Sequence, residues 1–151
     1  MIFVYMGVND WGNEVDLGEW TQQAPPDVSA FTPTQKLTKF VNAYNLLVYE
    51  LQTTYPNAEI YCFTLIENPS RGNNGTPPPS TNENLVKITD FNDMITDIAT
   101  YRNSQEGHVH VIDLYQCGIT WDNAETYLAD GLHPNSAGMK VIADYVINQL
   151  L

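Results

Sequence analysis

The sequence predicts an α/β fold with a parallel sheet, on two observations. Three short apolar segments with strand character alternate with three longer segments whose apolar residues recur at helical spacing. The order strand, helix, strand, helix, strand, helix is typical of parallel strands joined by right-handed crossovers, with helices on both faces. The length of 151 residues fits one domain and no linker interrupts it, so residues 1–151 are predicted to form a single three-layer α/β/α domain.

The first strand and the first long helix are predicted from different patterns. Residues 2–6, IFVYM, form a continuous apolar run, which favours a strand buried on both faces at the centre of a sheet. A helix is predicted from Thr32 as N-cap, with Pro33 at its first position and Gln35 three residues after the cap, to about Tyr55. Its apolar residues share one face: Leu37, Phe40, Val41, Tyr44, Leu47, Val48 and Leu51.

A second strand is predicted at 59–65, followed by a long surface loop at 67–83 that is rich in Pro, Gly and Asn. Ser80, with Glu83 three residues later, predicts the start of the next helix. That helix would turn one row of apolar residues inward: Leu85, Ile88, Phe91, Ile95 and Ile98.

The third strand is predicted at 109–114, and the last helix begins near Asn135 or Ser136. The face of this helix that packs inward would carry Val141, Ile142, Tyr145, Val146 and Leu150.

Composition narrows the class of partner. Six Lys and Arg residues against eighteen Asp and Glu residues give a net charge of −12, which repels phosphate backbones and anionic lipids. No apolar run approaches the roughly 20 residues of a membrane span. We therefore expect no nucleic acid and no membrane partner. Cys62 and Cys117 are predicted to be two buried thiols rather than a disulfide framework.

Two segments that leave the carboxyl ends of strands carry candidate chemistry, because ligands of parallel sheets bind at that edge. In Gly7-Val8-Asn9-Asp10, Gly7 permits a sharp exit from the strand and the Asn9 amide can present N–H donors. The same four residues also suit a plain turn.

The second segment is DGLHPNSAG, residues 130–138. A carboxylate at Asp130, three residues before His133, can hold one imidazole nitrogen, while the other nitrogen takes a proton as a general base. A loop histidine with a structural hydrogen bond is the alternative interpretation.

Together the two motifs resemble blocks of the SGNH hydrolases, the GDSL-type esterases and lipases. Gly-x-Asn-Asp is similar to the third block of that family and Asp-x-x-His-Pro to its fifth. The resemblance implies that Asn9 donates to an oxyanion, that His133 is the general base and acid, and that Asp130 orients it. Gly7, Asp10 and Trp11 are expected to contact substrate.

The chain departs from the family in its first two blocks, since neither the Gly-Asp-Ser block with the nucleophile nor the second glycine block is present. We therefore expect an N-terminally truncated sheet of about three strands and a chain that is inactive by itself. The strand at 2–6 would become an exposed apolar edge, which predicts a homo-oligomer through residues 1–8, or pairing with an N-terminal fragment supplied as a separate chain.

No other nucleophile is supported. Each serine has a more ordinary role in a loop, a cap or a helix end: Ser29, Ser70, Ser80, Ser104 and Ser136. Neither cysteine has a nearby base in sequence. His108 and His110 alternate along a strand at the end away from the site, so no metal and no cofactor is expected.

The function expected from this resemblance is serine ester hydrolysis on a small-molecule ester or acylated sugar. Aromatic residues near the functional edge could stack on sugars, with core or loop packing as the alternative: Trp11, Trp20, Trp121 and Tyr127. Two other readings stay open: a non-catalytic carbohydrate-binding or assembly module, and an unrelated flavodoxin-like domain, which would need a phosphate-binding loop after the first strand.

Overall fold

The computed structural model describes residues 1–22, 24–25, 37–68 and 78–151. Its sheet contains three parallel strands, β1 (Ile2–Val4), β2 (Ile60–Phe63) and β3 (Val109–Ile112), in the order β1-β2-β3. The helices are α1 (Val8–Gly12), α2 (Phe40–Thr54), α3 (Ile88–Glu106), α4 (Ala124–Tyr127) and α5 (Ser136–Leu150). Two single 3-10 turns, Leu114–Gln116 and Trp121–Asn123, follow β3. The predicted α/β fold with a parallel sheet is confirmed.

The helices cover the two faces of the sheet. On one face α2 and α3 bury their apolar residues with Ile60, Cys62 and Val109 of the sheet. On the other face the half-buried apolar residues of α5 pack against Phe63 and Ile112. Both clusters exclude water from apolar surface, which is the main favourable contribution to folding. Among the described residues no helix is long and apolar enough to cross a bilayer.

The position of β1 corrects one prediction from the sequence. A continuous apolar run favoured a central strand, but among the described strands β1 pairs only with β2 and forms an edge. Val4 is buried, whereas the Phe3 side chain is 50% exposed. The prediction of an exposed apolar edge therefore agrees with the structure. The prediction of a central strand failed because an apolar run indicates a preference for burial but does not show which neighbouring strand would cover it.

The start of α2 also differs from the prediction. Thr32, Pro33 and Gln35 lie outside the described residues, and residues 37–39 are not helical. The helix begins at Phe40, whose N–H donates to the carbonyl of Asp16 at 2.9 Å. The backbone carbonyl of Asp16 thus accepts a free N–H group at the start of the helix, a role that the side chain of a capping residue commonly has. The predicted end near Tyr55 is confirmed.

The start of α3 was predicted wrongly at Ser80. The helix begins at Ile88, where the Asp90 carboxylate accepts the N–H of Lys87 at 2.9 Å. Ser80 instead is fully buried, and Leu85, predicted to face inward, is 71% exposed. The sequence signal failed because the Ser80 hydroxyl donates to the distant Glu67 carboxylate rather than capping the following turn.

Candidate active site

The segment after β1 forms a single helical turn that presents Asn9. Gly7 has a φ of +121°, and a side chain there would press on the ring of Phe40, so glycine suits both the backbone and the packing. The Asn9 side chain is exposed and makes no hydrogen bond to any described residue. Its amide is therefore available as a donor at the carboxyl edge of the sheet.

The buried side chain of Trp11 attaches this turn to the core. Its side chain is 0% exposed, and its indole N–H donates to the carbonyl of Val86 at 2.9 Å. Its own carbonyl accepts from the Asn82 amide at 2.9 Å. The expectation that Trp11 contacts substrate is therefore corrected, since the structure places the ring in the core. Neighbouring Asp10 is half-buried and Gly7 is buried, so of this segment Asn9 offers the most accessible side chain.

Asp130 and His133 form the pair that their spacing predicts. The Nδ1 atom of His133 lies 2.7 Å from Oδ2 of Asp130. The other carboxylate oxygen, Oδ1, accepts the backbone N–H groups of Leu132 at 3.0 Å and His133 at 2.7 Å. With Nδ1 bonded to the carboxylate, Nε2 has no hydrogen-bond partner among the described residues, and the His133 side chain is 71% exposed.

These three hydrogen bonds lower the pKa of Asp130. The backbone N–H of His133 contributes most, followed by the imidazole and by the backbone N–H of Leu132, and together they bring the pKa to about 2 from the ordinary 3.8. Asp130 is therefore an anion at neutral pH, as an imidazole-orienting carboxylate must be.

The low pKa of Asp130 predicts how stability responds to acid. A depressed folded-state pKa gives stabilisation that is complete above about pH 4 and is lost as the pH falls through about 2. We expect the carbon resonance of the Asp130 carboxyl group to titrate near the lower value, and the stability gap between wild type and Asp130→Asn to close over that range. A titration midpoint at 3.8 would contradict the hydrogen bonding described above.

The turn that carries the pair is fixed at both ends. Inside it, the N–H of Ala129 donates to the carbonyl of His133 at 2.8 Å, and Asn135 N donates to Tyr127 O at 2.9 Å. The Asn135 carboxamide oxygen then accepts from the N–H groups of Ala137 and Gly138 and caps α5, whose start at Ser136 agrees with the prediction. The imidazole is thus held by a short, closed loop at the amino end of a helix.

Gly138 allows α5 to approach that loop closely. A Cβ atom at this position would overlap the carbonyl of Tyr127. We expect Gly138→Ala to destabilise the protein by about 1–3 kcal/mol, because backbone must shift to accept the methyl group. Chemical denaturation measures this loss, and Ala137→Ser, an exposed change in the same helical turn, should leave stability nearly unchanged. Equal stabilities of the two variants would contradict the close contact.

None of the described serines or cysteines has the setting of a nucleophile. Ser80 is buried against Glu67, Ser104 donates to the carbonyl of Tyr101 at 2.7 Å, and Ser136 opens α5. Ser29 and Ser70 lie outside the described residues. Both thiols are free and buried as predicted, and burial raises the pKa of Cys62 to about 11 and raises that of Cys117 as well. A raised pKa keeps each thiol protonated and unreactive at neutral pH.

The two histidines considered as metal ligands bind a carboxylate instead. Glu59 accepts from His108 Nδ1 at 2.8 Å and from His110 Nε2 at 2.5 Å, at the amino end of β2 and β3. These hydrogen bonds, that from His110 first, lower the pKa of Glu59. Across the described ranges, no three His, Cys, Asp or Glu side chains are arranged to hold a metal ion.

The sequence did not predict the role of Glu67, a buried carboxylate that follows β2. Glu67 accepts from the Ser80 hydroxyl, from the Ser80 N–H at 2.8 Å and from the Tyr115 hydroxyl at 2.7 Å. It joins the segments that leave β2 and β3. Burial and this carboxylate raise the pKa of Tyr115. No local pattern signals the cluster, because its partners lie 13 and 48 residues away in sequence.

The sheet separates the two candidate motifs by one strand. Asn9 follows β1 and the Asp130 turn follows β3, with β2 between them. Adjacent strands lie roughly 5 Å apart, so the ends of β1 and β3 are separated by roughly 10 Å. No hydrogen bond joins Asn9 to His133 within the described residues.

Comparisons with known proteins agree on the family and the fold. The model of the GDSL-like lipase/acylhydrolase family matches residues 1–141. A crystal structure of a protein from Lactobacillus plantarum is 28% identical, with a TM-score of 0.73, over 99% of this chain and 65% of that chain. A second crystal structure is 25% identical, with a TM-score of 0.72, over 98% of this chain and 62% of that chain.

A more distant solved structure shows the same fold. A protein from Streptococcus pneumonia, provisionally described as a platelet activating factor, is 18% identical with a TM-score of 0.64, over 99% of this chain and 59% of that chain. The chain thus spans between 59% and 65% of the length of these three structures. No curated protein matches the chain significantly in sequence.

Proposed function

Because the chain belongs to the GDSL-like lipase/acylhydrolase family, we propose that it carries the Asp–His pair and the oxyanion asparagine of a serine ester hydrolase. The proposed substrates are small-molecule esters with short acyl groups, including acylated sugars. The observation that carries the proposal is the 2.7 Å contact from His133 Nδ1 to Asp130, which leaves Nε2 free to take a proton.

In the proposed reaction, a serine hydroxyl attacks the ester carbonyl and His133 Nε2 accepts the proton of that hydroxyl. Asp130 holds the Nδ1–H and stabilises the imidazolium. The negative charge moves to the carbonyl oxygen, where the Asn9 amide donates a hydrogen bond. His133 then returns the proton to the departing alcohol, which leaves an acyl-serine. Water attacks the acyl carbonyl while His133 takes its proton, and His133 gives that proton to the serine oxygen as the acid is released.

The serine of this mechanism is proposed to come from sequence outside these 151 residues, since Ser80 and Ser104 are engaged, Ser136 is the first residue of α5 and both cysteines are buried. The chain alone should therefore leave p-nitrophenyl acetate uncleaved. A polypeptide extended upstream to include an in-frame Gly-Asp-Ser block should show a burst followed by steady turnover. Burst-phase turnover by the short chain would overturn the assignment of the nucleophile. An inert extended polypeptide would favour a binding or assembly module instead.

We further propose that the exposed edge of β1 mediates self-association of the 151-residue chain. Residues 1–8 contain no charged side chain or proline, the features that usually protect an edge strand. Met1 and Met6 are more than half exposed beside the open edge. Two copies related by a twofold axis could pair these edges into one continuous sheet.

A charge placed on this edge is expected to dissociate the assembly. Light scattering at micromolar concentration should give the mass of a dimer or larger species for the wild type and of a monomer for Phe3→Lys. Met139→Lys is the matched control, because Met139 is 57% exposed and Phe3 is 50% exposed, but Met139 lies on α5. A wild-type monomer, or equal dissociation by both variants, would contradict the proposal.

A further inference from the structure

A groove lies beside the Asp130 turn, between that turn and the short helical segments that precede it. It has a volume of about 540 Å³ and is lined by Trp121, Ala124, Glu125, Leu128, Asp130 and Gly131. This volume falls within the roughly 300–1,000 Å³ of small-molecule sites. The groove thus borders one member of the proposed catalytic pair, Asp130.

The tryptophan of this groove is held in place by its neighbours. The N–H of Thr120 donates to the Asn123 carboxamide oxygen at 2.8 Å, and the amide of Asn123 donates to the carbonyl of Gly118 at 2.8 Å. These bonds close the 3-10 turn that begins at Trp121, whose half-buried ring keeps one part accessible. The backbone that carries Trp121 is thus ordered before binding, and a preordered segment loses less conformational entropy when a ligand binds.

The floor and rim of the groove differ in polarity. Ala124 and Leu128 are buried and supply an apolar floor. Glu125 is exposed on the rim, and its carboxylate has no hydrogen bond or ion pair with any described residue. Asp130 already accepts three hydrogen bonds, so Glu125 is the carboxylate of the lining with more open acceptor positions.

We infer that this groove binds a neutral pyranose ring, the alcohol part of the ester proposed above. The apolar C–H face of a pyranose fits a flat indole beside an aliphatic floor, and its hydroxyl groups can donate to Glu125. An alkylammonium ligand would need a cage of several aromatic rings, whereas among the described residues Trp121 alone adds an aromatic ring to this lining. The inference rests on the proposed function for its link to catalysis, since the groove borders Asp130, whose carboxylate contacts His133.

Ligand binding tests the inference without any turnover. The 151-residue chain, labelled with ¹⁵N, is titrated separately with the methyl glycosides of glucose, galactose, xylose and N-acetylglucosamine. The indole N–H resonance of Trp121, assigned with Trp121→Phe, should shift saturably with at least one of them, with a dissociation constant in the millimolar range. The resonance of fully buried Trp11 should stay in place.

Variants locate the site. Trp121→Ala should weaken glycoside binding about tenfold, Glu125→Gln should weaken it by a smaller factor, and Trp121→Phe should retain part of the affinity. His133→Gln should bind as wild type does, so lost catalysis and lost binding are separable. No saturable shift with any glycoside, binding that survives Trp121→Ala, or a Trp121 shift with tetramethylammonium in place of the glycosides would overturn the inference.

Discussion

Replacing His133 by alanine in an extended, active polypeptide is expected to lower kcat/KM for p-nitrophenyl acetate by about 10⁴-fold or more. The variant loses the base that takes the serine proton and the acid that returns it to the leaving group. Asp130→Asn should have an effect of similar size, because an amide cannot stabilise the imidazolium and favours the wrong tautomer. The double variant should be little worse than either single one, since the two side chains act as a unit.

The structure offers a matched control for His133. His108 is also an exposed histidine, and its Nδ1 atom also contacts a carboxylate, that of Glu59, at 2.8 Å. It lies at the amino end of the sheet, away from the proposed site. His108→Ala should retain activity. Similar losses in the two alanine variants would show that the effect of His133 is structural rather than chemical.

Replacing Trp11 by alanine is expected to destabilise the protein by about 3–5 kcal/mol. The substitution empties a fully buried site and leaves the carbonyl of Val86 without its indole donor. Native domains are stable by only about 5–15 kcal/mol, so this change removes a large share of the total. Urea unfolding followed by circular dichroism measures it.

Two comparisons separate the contributions to that loss. Trp11→Phe keeps most of the packing but removes the hydrogen bond, and should cost less than alanine. Trp121→Ala removes a half-buried ring on the surface and should cost less still. A Trp11→Ala protein as stable as Trp121→Ala would contradict the role of Trp11 as the anchor beneath Asn9.

Local patterns predicted the contact between Asp130 and His133 because its geometry is local. Asp130 and His133 are three residues apart, and a turn of that length brings carboxylate and imidazole into contact wherever the turn sits in the fold. The cap of α5 by Asn135 is equally local, since its acceptor reaches N–H groups two and three residues later. The strands and the order of the helices were predicted from the spacing of apolar residues, which indicates the buried face of each single element.

The failed predictions share a physical cause. Ser80 has the pattern of a cap, but a buried carboxylate 13 residues earlier offers its hydroxyl a stronger partner. Trp11 lies in a segment that leaves the site edge, yet its hydrogen bonds reach Val86 and Asn82, 75 and 71 residues away. Such contacts form only when the chain has packed, so no window of neighbouring residues contains them.

The sequence by itself therefore determined the order of the elements, the parallel α/β class and the two motifs at the carboxyl edge, because each depends on neighbours within a few residues. Only the tertiary structure decided which of the motif residues are accessible. It buried Trp11, left Asn9 and His133 exposed, and made β1 an edge of the sheet that the described strands form. Those outcomes depend on which distant segments pack together, and long-range packing is a property of the whole fold.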